Sequence, residues 1–151
     1  MAKKILLARP HPFIVKEMQP FLEQNGFSAK KLVSLSELPS NVAGLSGAII
    51  SLAVESSVNE TVEAVFSELR RVSPNVPVLF AAMLTFDAMK GVLRRLAKSN
   101  EIEATILGVD LASKGHPDLG KPNTFLYLSN SDFVTPEKRA LATKIIQQHF
   151  R

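Results

Sequence analysis

An α/β domain with a doubly wound parallel sheet is the fold class this chain predicts, and three observations carry it. Short apolar runs with almost no polar interruption recur at Ile5 to Ala8, Gly47 to Leu52, Val76 to Met83 and Thr124 to Ser129; each is the pattern of a parallel strand covered on both faces. Helical periodicity fills most of the gaps between them. The alternation of strand and helix is regular up to residue 98, which implies right-handed βαβ units. With 151 residues, 46% hydrophobic and 21% charged, a single domain over residues 1–151 is expected, large enough to bury about 70% of its unfolded surface in one core.

Taken in order, Ile5 to Ala8 is the first strand. Pro12 suits the first turn of the next helix, where its missing N–H costs nothing. Ile14, Met18, Phe21 and Leu22 share one stripe of that helix, and Asn25-Gly26 stops it. Residues 28 to 34 form a second strand, and Ser36 to Ala43 a short helix with Pro39 in its first turn. After the strand at Gly47 to Leu52, Ser57-Val-Asn-Glu60 has the capping-box pattern and opens a helix with Val58, Val62, Val65, Phe66 and Leu69 inward. Ser73-Pro74 closes it. Pro77 is tolerable at the start of the fourth strand, and Thr85 caps a helix that buries Phe86, Met89, Leu93, Leu96 and Ala97. The last third is less regular: Ala104 to Val109 is strand-like, residues 110 to 123 are a polar loop, and Thr124 to Ser129 is strand-like again. Thr135-Pro136-Glu137 starts a final helix with Leu141, Ile145, Ile146 and Phe150 on its apolar face.

Composition narrows the function classes. There is no cysteine, so disulfides and thiolate metal sites are out. Met-Ala-Lys-Lys leads into an apolar run too short for a signal peptide or membrane span, and a cytosolic, bacterial-type protein is the expectation. A net charge of +4 permits an acidic partner or nucleic acid without demanding either. His11, His116 and His149 fall on different elements with no carboxylate at a ligand spacing, so neither a metal nor another cofactor is expected. No glycine-rich nucleotide motif and no nucleophile elbow occurs, which argues against an enzyme.

The segment Lys4-Ile-Leu-Leu-Ala-Arg-Pro-His-Pro-Phe13 closely resembles the opening of two-component receiver (response-regulator) domains, in which such a strand ends in an acidic pair followed by His-Pro. The order and spacing of later elements extend the resemblance to the last helix as five βα units. It implies a flavodoxin-like five-stranded parallel sheet of order 2-1-3-4-5, with an extra strand-like segment and a long loop before the last strand. Carried over residue by residue, the family's acidic pair falls on Arg9 and Pro10, and its phosphoacceptor aspartate on Ser51. The fourth-strand hydroxyl residue falls on Ala82, and the fifth-strand lysine on Asn130 or Ser131. None of these matches the family pattern. Mg²⁺ needs hard oxygen ligands and the phosphoryl group a carboxylate nucleophile. Arg9 instead brings a fixed positive charge, and a serine hydroxyl is a weak nucleophile without a base. On this alignment the family's phosphoryl transfer is excluded, and the resemblance implies a degenerate pocket, a pseudo-receiver.

Arg9 should project at the carboxyl edge of the sheet, where Glu55 and Asp87 begin the adjoining loops. A buried guanidinium must find a carboxylate or carbonyl, so Arg9 is expected to lock the pocket in one state by pairing with one of those two acids. Tyr127, three residues before Asn130, has the spacing of the receiver's switch aromatic; the alternative is a half-buried tyrosine with its hydroxyl in water. The main departure from the family is the stretch from Ser99 to Asn123, where a loop of this length is unusual. An alternative register makes 104 to 109 the fifth strand and 125 to 129 a sixth.

Lys90, Arg94, Arg95 and Lys98 share one side of the fourth helix, and Lys138, Arg139 and Lys144 lie on the last. In receivers the corresponding surface serves output and dimerisation, so a basic version implies an acidic protein partner, or a homodimer through the last two helices; the plainer alternative is a solvated helix face. Without interleaved aromatics or a recognition motif, nucleic-acid binding is not expected. The resemblance thus points to a non-phosphorylatable pseudo-receiver acting by protein–protein interaction in bacterial signalling. The competing reading is a small-ligand or anion sensor at the carboxyl edge, near Arg9, Ser51 and the loop from Asp110 to Asn123.

Overall fold

The uninterrupted apolar runs become strands because both of their faces are covered by helices. In the computed structural model, which describes residues 3–53, 56, 58 and 60–150, six strands form one parallel sheet. They are β1 (Lys3–Arg9), β2 (Phe27–Lys31), β3 (Leu45–Ser51), β4 (Val78–Ala82), β5 (Thr105–Leu107) and β6 (Thr124–Ser129), in the order β2-β1-β3-β4-β6-β5. The expected five-stranded order is present with β6 as its last member, and β5 is a sixth strand added outside it. The extra strand-like segment pairs at the edge because Thr105, Ile106 and Leu107 align with Thr124, Phe125 and Leu126, so β6 has hydrogen-bonding neighbours on both sides.

Successive side chains point to opposite faces of a strand, and the two cores reflect that alternation. Ile5, Leu7, Ile49, Leu79, Ala81, Leu126 and Leu128 face α1 (Gln19–Gln24) and α6 (Pro136–His149). Leu6, Ala8, Ala48, Ile50, Val78, Phe80, Phe125 and Tyr127 face α2 (Leu38–Asn41), α3 (Val62–Val72) and α4 (Phe86–Ser99). Helix α1 is entered through a π-helical turn at Ile14–Met18; Pro20 has no N–H to donate back, and a widened turn accommodates such a residue. Gly26, with φ of +87°, ends it. Gly47 of β3 permits a close approach, since a methyl there would stand 2.2 Å from the buried Phe150 ring.

One expectation changes. The third helix begins at Thr61, whose hydroxyl accepts from the Ala64 N–H at 3.2 Å, four residues after the predicted start; Ser57 and Asn59 lie outside the described residues. The helices that carry the basic residues, α4 and α6, pack on opposite faces of the sheet. Leu93 and Leu96 anchor α4 to one face of the sheet, Ile145 and Ile146 anchor α6 to the other, and edge strand β5 extends the sheet beyond β6. Arg139 is in addition drawn inward, over the Phe21 ring at 5.1 Å.

The long segment before β6 is ordered from within. It holds a short helix, α5 (Val109–Ala112), and Asp118 gathers the remainder of the segment around itself. The Asp118 carboxylate accepts from Thr105 Oγ1 at 2.9 Å and Lys121 Nζ at 3.0 Å, and its carbonyl accepts from Thr124 Oγ1 at 2.7 Å. Buried His149 pins the same segment to the sheet. Its Nδ1 accepts from the Gly120 N–H at 3.0 Å, so the ring proton belongs on Nε2, which donates to the Val78 carbonyl at 2.9 Å; only the neutral imidazole satisfies both. Among the described residues no helix is long and apolar enough to cross a membrane.

Candidate functional site at the carboxyl edge

Because every strand runs the same way, their last residues meet along one edge: Arg9 of β1, Ser51 of β3, Ala82 of β4 and Ser129 of β6. The β1–β3 half is filled by Arg9, which is only 3% exposed. Its Nη1 donates to the Ser51 carbonyl at 2.9 Å and to the Ala53 carbonyl, and its Nε donates to the Glu60 carbonyl at 3.1 Å. A planar guanidinium forks to several acceptors in this way, which an ammonium cannot. Burial lowers the arginine pKa from its ordinary value, and the Glu63 carboxylate opposes that shift. Arg9 is therefore held by backbone carbonyls. Asp87 pairs with Lys90 at 3.5 Å, and Glu55 lies outside the described residues.

The neighbours of Arg9 reinforce the closure. Pro10 is buried, and its carbonyl accepts from the Ser56 hydroxyl. Ser51 is 1% exposed, and its hydroxyl accepts from the Ala53 N–H at 3.0 Å, a local turn bond that holds it away from solvent. Ser51, Ala53, Ser56 and Glu60 are thus each tied to the end of β1 or to Pro10 after it. A guanidinium at this point does not fit a Mg²⁺ ion, and among the described residues no group of three or more His, Asp or Glu side chains is placed to hold a metal.

The β4–β6 half is built differently. Ala82, opposite Ser129 in the sheet, is buried and supplies no hydroxyl. Asn130 is partly buried, opens the 3₁₀ turn Asn130–Phe133, and is followed by exposed Ser131. Asp132 caps that turn, its carboxylate accepting from the Ser129 N–H at 2.7 Å and the Ser129 hydroxyl at 3.1 Å. Tyr127 is 1% exposed, stacked obliquely on Phe86 with ring centres 6.1 Å apart, and its hydroxyl donates to the Leu84 carbonyl. That hydroxyl is not in water. Burial raises its pKa, and the Asp132 charge adds to the effect. Between these groups lies a cavity of about 360 Å³, walled by Thr85, Phe86 and Asp87, by residues 108–111, and by Tyr127, Ser129, Ser131 and Asp132.

The structure brings Arg9, Pro10 and Ser51 together and places Ala82, Tyr127 and Asn130 in the adjoining half. Lys90, Arg94, Arg95 and Lys98 lie along α4, with Arg94, Arg95 and Lys98 exposed; Lys138 is exposed on α6. Sequence reasoning missed the cavity, whose carboxylates Asp110, within the inserted segment, and Asp132, beyond β6, share no spacing signal.

No family model matches the sequence, and no curated protein does. Solved structures resemble it in fold. A response regulator receiver protein from Sinorhizobium medicae WSM419 is 16% identical with a TM-score of 0.52, covering 99% of this chain and 94% of its own. The receiver domain of a sensor histidine kinase from Pseudomonas aeruginosa PAO1, solved with magnesium in its active-site cleft, is 14% identical with a TM-score of 0.57, covering 99% and 98%. A streptococcal protein, described as one of a family of redox sensors evolved from two-component response regulators, is 10% identical with a TM-score of 0.57, covering 97% of this chain and 52% of its own. The chain has the receiver fold.

Proposed function

We propose that the protein is a pseudo-receiver, a receiver scaffold that cannot be phosphorylated at its sheet edge and works by protein–protein interaction in bacterial signal transduction. One observation carries this reading. The Arg9 guanidinium occupies the end of β1 and binds the backbone of the β3–α3 loop, so the place that would need two carboxylates and a cation holds a fixed positive charge. Ser51 adds a hydroxyl already used as a local acceptor. The streptococcal relative, described as having evolved from response regulators into a redox sensor, is a precedent for keeping the scaffold and changing its use. An acidic partner would be met by Arg94, Arg95 and Lys98, exposed on α4. The anion-sensor alternative at Arg9 and Ser51 has less support, because both side chains are buried and committed to backbone groups.

The test is Mg²⁺-dependent uptake of beryllofluoride, tracked by fluorine NMR together with acetyl phosphate labelling. Neither bound fluoride nor a phosphorylated species is expected. Stoichiometric binding at the β3 end would overturn the reading. For the partner face, R94E/R95E should abolish complex formation with an acidic partner while leaving the unfolding curve unchanged.

A further inference from the structure

Four of the five large apolar side chains exposed among the described residues gather at one place. Met83 and Leu84, 55% and 59% exposed, form the β4–α4 connection whose next three residues wall the 360 Å³ cavity. Leu111, 50% exposed, is itself part of the wall, and Val134, 62% exposed, comes directly after the turn that contributes Ser131 and Asp132. Exposed apolar residues scattered singly need no explanation, but a set in and next to the segments that wall one concavity marks a surface that another molecule covers.

The cavity has a charge of its own. The chain is basic, at +4, yet the wall carries Asp87, Asp110 and Asp132 and no lysine or arginine. Lys90 offsets Asp87 at 3.5 Å, which leaves Asp110 and Asp132 to set the sign. Carboxylates in a concave, partly apolar wall focus attraction for a cation. The site is also pre-organised: Asp132 is held by the Ser129 N–H and hydroxyl, and Leu84 is held through its carbonyl by Tyr127. Gly108 lets the inserted segment pack on Phe86, since a methyl there would meet that ring at 2.8 Å.

We propose that this end of the sheet docks a segment of a partner protein bearing a lysine or arginine flanked by apolar side chains. The cation sits in the cavity against Asp110 and Asp132, and the flanking side chains cover Met83, Leu84, Leu111 and Val134. A small cationic metabolite would leave that rim bare, so a peptide segment accounts for more of the surface. One wall of the site, Gly108 to Leu111, comes from the inserted segment, which makes the surface particular to this chain. The docking role rests on the protein-interaction reading above, but not on the loss of phosphorylation.

The probe is a fluorescein-labelled amphipathic peptide of leucine and lysine. Two controls carry glutamate for lysine or serine for leucine, and anisotropy of the full chain is read at low and moderate salt. The leucine–lysine peptide is expected to bind, and both controls to bind at least about tenfold more weakly. Asp110→Asn and Leu111→Ser should each weaken binding about fivefold or more. Glu17→Gln, an exposed carboxylate near the first helix, should leave it unchanged, and urea unfolding curves should match throughout because all three positions are exposed. Amide shifts on titration should concentrate at 83–87, 108–111 and 129–134. Equal affinity of the glutamate control, indifference to both substitutions, or shifts centred elsewhere would overturn the proposal. Self-association that Leu111→Ser abolishes and the peptide does not compete away would overturn it in favour of a second copy as occupant. Beryllofluoride uptake would strike the pseudo-receiver reading alone.

Discussion

At β1 and β3 the carboxyl edge is filled from within, whereas at β4, β6 and β5 it is left hollow. The first half spends an arginine, a proline and a serine on closing itself: Arg9 binds the carbonyls of Ser51, Ala53 and Glu60, and Pro10 accepts from Ser56. The second half keeps aspartates and an apolar rim around open space. In a parallel sheet both halves lie at the same structural level, so the contrast comes from side-chain chemistry and from the insertion, not from topology. A filled pocket stiffens a loop; an open one can bind.

The sharpest way to break the contrast is to empty the filled half. Arg9→Met removes the donor to three backbone carbonyls in a buried setting, and a loss of roughly 3 kcal/mol in urea unfolding is expected, since buried acceptors without donors cost about 1–3 kcal/mol each and part of the loop can relax to water. Arg9→Lys should recover less than half of that, because one ammonium cannot reach acceptors in the plane of a fork. If Arg9→Met unfolded like the wild type, Arg9 would be a bystander and the closed half a misreading.

This half was partly legible in the sequence. A buried arginine at a strand end demands an acceptor, and that demand was readable from Arg9 and its apolar neighbours Leu6, Leu7 and Ala8. Its carbonyl acceptors were not, because backbone partners leave no mark in residue type. Ser57 carries the stronger local signal, a capping box, yet Thr61 caps the helix, and the Glu60 carbonyl just before it accepts from Arg9. The helix stripes and the apolar strands were legible for a simpler reason: burial on a repeating face leaves a period in the sequence. Which side of the sheet a helix covers leaves none, so the placement of α4 and α6 on opposite faces carries no signal of that kind. His149 likewise looked unconnected, since its partners Gly120 and Val78 are far away in sequence.

The hollow half can be stressed next. Gly108→Ala places a methyl 2.8 Å from the Phe86 ring, and overpacking of this kind costs about 1–3 kcal/mol. Unlike Arg9→Met, it should also disturb the cavity, visible as changed amide shifts at Thr85, Phe86 and Asp110. A neutral result would mean that the inserted segment sits on α4 more loosely than its packing implies. Tyr127→Phe is gentler. It deletes one hydrogen bond, to the Leu84 carbonyl, while keeping the ring against Phe86, for a loss of about 1 kcal/mol. Faster amide exchange confined to Met83, Leu84 and Thr85 would show that the hydroxyl positions the apolar rim; exchange unchanged there would free the rim from Tyr127.

The smallest effect concerns the inserted segment that frames the hollow half, and it depends on pH. The Lys121 and Thr105 hydrogen bonds hold the Asp118 carboxyl below its ordinary pKa of 3.8. A group whose folded pKa is depressed contributes stability above its unfolded pKa and loses it as pH falls through the lower folded value. Resonances of Thr105, Asp118, Lys121 and Thr124 should therefore stay constant from pH 7 to about 5 and move together only below 3.8. Asp118→Asn should produce at pH 7 part of the change that acid produces in the wild type, with the Gly120 amide staying protected because His149 still accepts its proton. Movement centred above pH 5 would assign the response to a histidine, leaving Asp118 without a part in ordering the segment. A confined response at low pH would show that the inserted segment is tied by a polar clasp to the starts of β5 and β6, which is what an open pocket beside a closed one requires to keep its shape.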